Sequence, residues 1–383
     1  MSETGTRART LVVGTAVAGA LVAIVLGFLT FGAQASSQPH RLPVAVAVPD
    51  AAPPELHAAA ERVAATGGEA LEWWVVEPGE GRALLDDQDV YGVLELGLGR
   101  GGPTVTAVTS GAVNPAGTQI AGQAVTTAGQ RVAEALGEAT PAASPQVRSE
   151  TIHDTGPAGR TAPLGISALA WVGGLAGSAL LAVQVRRQRL RPGAGARCAH
   201  LALTVVLVTG VLAGFLALWD SSWDLGWPVL GFLALTASAF AAVQGALLRW
   251  LGIPAMAVLG PLYLLAPSVA SQVPETLEPA YRVLLWSWTP FRFSTEGLRS
   301  LLAGTPGTDQ VTVALWVLGA MLVVGLTALL WPRGTPDGAR SAGEEAEPDA
   351  ADRVVDVGVD ETDRLPRTER ERPAEHRDGG IRR

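Results

Sequence analysis

Residues 198–219 read CAHLALTVVLVTGVLAGFLALW and residues 227–248 read WPVLGFLALTASAFAAVQGALL, with DSSWDLG between them. Each stretch runs 22 residues without an Asp, Glu or Arg. A helix rising about 1.5 Å per residue needs about 20 apolar residues to cross a hydrocarbon layer about 30 Å thick. The pair therefore reads as two membrane-crossing helices joined by a short polar loop. Four further runs meet the same test, at 11–33, 162–185, 251–271 and 311–331. Pro254, Pro261 and Pro267 interrupt the run at 251–271, so a kinked or broken helix is expected there. Hydrophobic residues make up 48% of the 383 residues, yet only 5% are aromatic and 17% charged, which is membrane composition.

The fold class that follows is an α-helical integral membrane protein of about six transmembrane helices, with an extracytoplasmic α/β domain between helices 1 and 2. The chain divides into a cytoplasmic N-terminus (1–10), transmembrane helix 1 (11–33), the extracytoplasmic domain (34–160), a five-helix transmembrane domain (161–331) and a cytoplasmic tail (332–383). The tail is charged, rich in Pro and Gly and poor in aromatics, and is expected to be disordered.

Sidedness follows from the short loops, because Arg and Lys are retained on the cytoplasmic side. Arg186, Arg187, Arg189, Arg191 and Arg197 follow the second helix, whereas the loop after the third holds Asp220 and Asp224 and no base. Arg7, Arg9, Arg249 and Arg333 fall inside on the same scheme, which places both termini in the cytoplasm and the protein in the cell membrane. Ala33-Gln34-Ala35 resembles a signal-peptide cleavage site, but the apolar run before it is longer than a signal segment's, so helix 1 reads as a retained anchor.

Composition also excludes chemistry. The formal charge is -8, with much of the acid in the tail, and implies no nucleic-acid partner. The chain has no Lys, so it has neither the Lys of a Walker A loop nor an amine for a Schiff base. Any ATP hydrolysis then belongs to another chain. Cys198 is the single cysteine, which rules out an intrachain disulfide and a Cys-based metal site. No cofactor is expected, and the chain is not expected to be an enzyme.

In the outside domain, strand-like stretches at 42–48, 71–76, 90–96 and 104–108 alternate with helical patterns at 54–65 and 115–136. Gly97, Gly99, Gly101 and Gly102 have the wrong spacing for a dinucleotide fingerprint and read as turn residues. His40, His57 and His153 lie too far apart in sequence for a metal site or triad and read as satisfied or exposed polar groups. Trp73 and Trp74 end a strand, where one ring packing inward is the common outcome. A small-residue and Pro linker at 139–145 leads back to the membrane.

The helix interiors carry no ionisable residue of the kind a proton-driven carrier needs. Gln184 and Gln244 lie near cytoplasmic ends, where solvation accounts for them. The segment 274–304 is expected to be re-entrant, with short amphipathic helices dipping into the outer leaflet. Leu298, Leu301 and Leu302 share a face there, and Trp286, Trp288, Phe291 and Phe293 suit an interfacial belt. An ordinary surface helix is the plainer reading of the same pattern.

Two stretches carry a family resemblance. One is Thr161-Ala-Pro-Leu-Gly-Ile-Ser-Ala-Leu-Ala-Trp171-Val-Gly-Gly174; the other runs from Leu251-Gly-Ile-Pro254 through Pro261, Pro274 and Pro290 to Gly297-Leu-Arg299. With one helix, an outside domain and five further helices, the chain resembles the YhgE/Pip branch of the type-2 ABC-transporter permease superfamily. Its outside domain is shorter than the long helical extension of many members of that branch. The resemblance implies a homodimeric or heterodimeric membrane subunit, powered by a separate ATP-binding subunit, that exports a lipid-linked, peptide-like or drug-like substrate. Topology and charge placement then point to an outer gate at Glu296 and Arg299 and to a cytoplasmic ATPase-facing surface at Arg186, Arg187, Arg189, Arg191 and Arg197, together with residues 7–10. The competing reading is a non-transporting envelope protein whose outside domain binds a partner while the helices anchor it.

Overall fold

The computed structural model describes residues 3–100, 102–139 and 145–332. Most of the expected linker at 139–145 and all of the tail from 333 lie outside the described residues.

Helix α1 (Glu3–Gly27) continues through a π-helical turn (Phe28–Gly32) into Ala33–Ala35. The α/β domain follows as β1 (Leu42–Ala47), α2 (Pro54–Ala64), β2 (Leu71–Val76), α3 (Pro78–Asp86), β3 (Val93–Gly99), β4 (Gly102–Ser110), α4 (Pro115–Ala139) and β5 (Val147–Ile152). Then come α5 (Gly156–Arg187), α6 (Ala194–Trp219), α7 (Trp227–Leu251) and α8 (Met256–Ala270). A connection of short turns leads to α9 (Pro290–Leu302) and α10 (Asp309–Leu330). Proline opens α2, α3, α5, α7 and α9, where its missing N–H costs nothing and its fixed φ suits the first turn.

Among the described residues, six helices are long and apolar enough to cross a membrane: the end of α1 with its extension, α5, α6, α7, α8 with its preceding turn, and α10. Large apolar side chains stand exposed along α1, α6 and α10, as a lipid-facing surface requires. These features are those of a multi-pass membrane protein. The break expected in the fifth span falls at its start. Gly252 adopts a left-handed φ of 68° to end α7, and Ile253–Ala255 form a 3-10 turn. Beyond it α8 is continuous, with Pro261 and Pro267 inside it.

The sheet order is β2-β1-β3-β4-β5, with β1 parallel to β2 and β3, β4 parallel to β5, and β3–β4 an antiparallel hairpin. The hairpin closes by pairing Gly99 with Gly102, so these two glycines serve a turn as expected, whereas Gly97 lies within β3 opposite Thr104 and Gly101 lies outside the described residues. Helices α2 and α4 cover one face, burying Val46, Leu94, Leu96 and Val105. Helix α3 covers the other, where Gly81 lies against Ala47 and Val93. Each such large side chain contributes about 1.5–3 kcal/mol on burial.

The bundle core centres on Trp171 (α5), Phe240 (α7) and Phe291 (α9), all fully buried, with ring centroids 5.2–5.4 Å apart. Phe291 and Phe293 therefore belong to the core and not to an interfacial belt. The amphipathic segment likewise differs from expectation. Helix α9 is wedged among α5, α7, α8 and α10, and Gly297 makes room for this: a Cβ there would stand 2.6 Å from Phe232 Cζ and 2.9 Å from Ala314 Cβ. Gln244 also differs: it is fully buried, and its Nε2 donates to the Trp171 carbonyl over 3.0 Å across the α5–α7 contact. Gln184 is exposed, as expected.

At the far end from the α/β domain, Arg249 donates to the Leu329 carbonyl and, over 2.7 Å, to the Trp331 carbonyl, while Trp250 donates to Ala328 over 2.8 Å. A cation is thus placed on the unpaired carbonyls that end α10, where the helix dipole favours it.

Candidate functional site

The α/β domain sits on the turn that links α8 to α9. Backbone N–H groups of Gln38 and His40 donate to the carbonyls of Thr276 and Glu275 over 3.1 and 2.8 Å. The Tyr91 hydroxyl donates to Glu275 Oε2 over 2.8 Å, and Val273 is buried in the domain's own core beside Leu42, Val44 and Tyr91. A second attachment reaches α9 directly: Gln88 Nε2 donates to Ser300 Oγ over 2.8 Å, and Ser300 Oγ donates to the Glu296 carbonyl over 3.1 Å. Gln88 holds a left-handed φ of 66°. This left-handed residue follows the end of α3, where the Asp89 N–H donates to the Leu84 carbonyl over 2.8 Å and closes the helix.

Tyr91 is buried, and its phenol is held well above its ordinary value, first by desolvation and then by the negative charges of Glu275 and Glu296. The neutral hydroxyl is thus kept as a donor to Glu275.

Beneath these contacts α9 carries three ionisable residues. Arg299 is 4% exposed, yet its guanidinium forms no ion pair and its Nε finds no partner among the described residues. Glu296, one turn earlier, lies within electrostatic range of Arg292, Arg299 and Glu275 without a hydrogen bond of its own among the described residues. Arg292 stacks on the Trp286 ring at 3.5 Å and on the Phe293 ring at 4.2 Å, a cation–π sandwich on a half-buried guanidinium. Desolvating a charge costs several kcal/mol unless a partner offsets it. Half-buried Glu296 and buried Arg299, the two residues expected at an outer gate, thus lie one turn apart on α9.

The arginines expected to face a partner flank one loop. Arg186 and Arg187 end α5, Arg189 and Arg191 lie in the following loop, and Arg197 sits in the first turn of α6. The first four are exposed and Arg197 is half-buried. None forms an ion pair among the described residues.

Sequence reasoning missed three groups. Tyr91 was absorbed into an expected strand that in fact begins at Val93. Gln88 and Glu275 carry no motif, and only the fold brings residues 88, 91, 275 and 300 together. Arg82, on the unexpected helix α3, grips both carboxylate oxygens of Glu95 (2.7 and 3.0 Å) and both of Glu150 (3.0 and 3.0 Å). His153, expected to be satisfied or exposed, pairs with Asp86 at 2.8 Å. No family model, curated protein or solved structure matches the chain.

Proposed function

We propose that this chain is a permease-like membrane subunit, resembling the YhgE/Pip branch of the type-2 ABC-transporter superfamily, that works with a separate ATP-binding subunit to export an amphiphilic substrate. In this reading the α/β domain is extracytoplasmic and both termini are cytoplasmic. The exposed arginines Arg186, Arg187, Arg189 and Arg191 are the surface offered to the ATPase, and the chain works as a dimer. Helix α9 is the re-entrant helix at the outer gate.

One observation carries the proposal: a guanidinium that forms no ion pair among the described residues is buried on a helix that also carries a half-buried carboxylate and is fastened to the outside domain. A helical anchor gains nothing from desolvated charges, whereas a gate that alternates between two packings can hydrate or pair them in its second state. The outside domain would bias that equilibrium, because its core encloses Val273 and its loop holds Ser300.

Affinity purification of the full chain in mild detergent, followed by mass spectrometry and an ATPase assay, tests the reading. A stoichiometric nucleotide-binding partner is expected. Its absence, from an extract that preserves a known ABC complex, would favour the envelope-anchor reading.

A further inference from the structure

The α/β domain has a second feature that the gate does not use. Along the side of α4 that overhangs β5 runs an open groove of about 590 Å³. Ligand sites span about 300–1,000 Å³, so the groove is large enough to hold a short segment of chain. Its wall is an exposed row on α4, Gln119, Gln123, Thr127 and Gln130, and its floor includes Thr109, Ser149 and Thr151. Only Asp154 and Arg160, at one end, are charged. An exposed helix face ordinarily carries Glu, Lys or Arg for solubility, and this one carries amides and hydroxyls instead. Thr118 Oγ1, also in the lining, is buried without a partner among the described residues.

Strand β5 is the edge of the sheet next to this groove. In a parallel pair only part of a strand's N–H and C=O groups turn toward the neighbour, so the outer side of β5 presents a ladder that is unpaired among the described residues. The strand is also held rigidly. On the face away from α4, Glu150 is fixed by Arg82, which grips Glu95 of β3 with the same guanidinium and so braces β5 across β4. A braced edge whose groove-side residues, Ser149 and Thr151, are uncharged, its Arg148 and Glu150 belonging to the other face, is with its hydrogen-bonding wall a template for strand addition.

We propose that the outer edge of β5 binds an extended, uncharged peptide segment as a sixth strand. Its backbone would pair with β5, and its side chains would lie between Ser149 and Thr151 on one side and the Gln119–Gln130 row on the other. The groove has no aromatic ring on which a sugar would stack, and one Arg opposite one Asp makes it neither an anion nor a cation site. The inference does not depend on the export reading.

The test uses the full chain in nanodiscs, carrying Cys198→Ser and Ser149→Cys, and follows the rate of maleimide labelling at position 149. The probe is a pool of acetylated, amidated hexapeptides of Ala, Ser, Thr, Val and Gln, matching the six residues of β5. The pool is expected to slow labelling about threefold or more, while the same pool N-methylated at every residue leaves it unchanged, because strand addition needs the donors of one edge and full methylation removes both. Gln123→Glu with Thr127→Glu should weaken the protection. In parallel, the pool should raise the melting temperature of the unsubstituted protein. No protection, equal protection by the methylated pool, or a spontaneous disulfide-linked dimer through position 149 showing that a second copy covers the edge, would each overturn the proposal.

Discussion

A buried guanidinium that forms no ion pair among the described residues, with Glu296 one turn away in electrostatic range only, costs more to desolvate than it returns, so Arg299 asks for a use outside folding. Replacing a buried ionic group by an apolar side chain of similar length is often neutral or stabilising by about 1–4 kcal/mol. Arg299→Met is therefore expected to leave the melting temperature in detergent unchanged or raised while abolishing partner-coupled ATPase activity. A fall in melting temperature with activity intact would make Arg299 structural. Tyr91 makes a second prediction at this scale. Its neutral form is favoured in the fold, so its contribution is complete below the unfolded phenol value of about 10 and is lost as pH rises through the higher folded value. The protection of the Gln38 and His40 amides against hydrogen exchange, taken relative to the base-catalysed rate of an open chain at the same pH, should fall at high pH in the native chain. Tyr91→Phe removes a bond to a charged acceptor worth about 1.5–3 kcal/mol, and should show fast exchange already at neutral pH. Arg299 and Glu296 were legible as charges in an otherwise apolar half of the chain. Tyr91 was not, because a buried tyrosine followed by Gly92 and Val93 reads like any strand start.

At the scale of elements, the long helices declared themselves through unbroken apolar runs, since lipid tolerates little else. The elements that escaped were those whose packing partners lie far away in sequence. Strand β5 reads VRSETI, an alternation too polar to announce burial, and becomes a strand because β4 offers it a ladder and Arg82 a brace. Helix α3 reads PGEGRALLD, whose two glycines argue against a helix until Gly81 is seen to admit Ala47 and Val93. Helix α9 was expected to be amphipathic, and it is; its polar face, however, meets the α/β domain and the bundle where lipid headgroups were expected. Its insertion rests on Gly297. Gly297→Val should destabilise the protein by about 1–3 kcal/mol through overpacking against Phe232 and Ala314, read as a lower melting temperature. Gly319→Ala on α10, where a Cβ meets nothing, should be neutral or slightly stabilising.

At the scale of the molecule, the division into one helix, an α/β domain and five helices was legible from hydropathy alone, whereas the seat of that domain on the α8–α9 turn was not. The contacts are backbone bonds and single polar side chains scattered over residues 38–40, 88–91, 272–276 and 300, a set with no sequence period. The fold does carry an internal test of sidedness. The loops that meet the α/β domain lie at one end of the bundle, and the arginines after α5, with Arg249 on the end of α10, lie at the other. If the basic end is cytoplasmic, Cys198, exposed in the first turns of α6, is shielded in intact cells from a membrane-impermeant maleimide. Ser221 lies across the bundle in the exposed α6–α7 loop, and Ser221→Cys in a Cys198→Ser background should label without permeabilisation. Labelling of Cys198 but not of position 221 would invert the topology, moving the α/β domain inside and the arginines outside. The gate proposed at Glu296 and Arg299 would then face the cytoplasm, and the basic loops could no longer receive an ATPase.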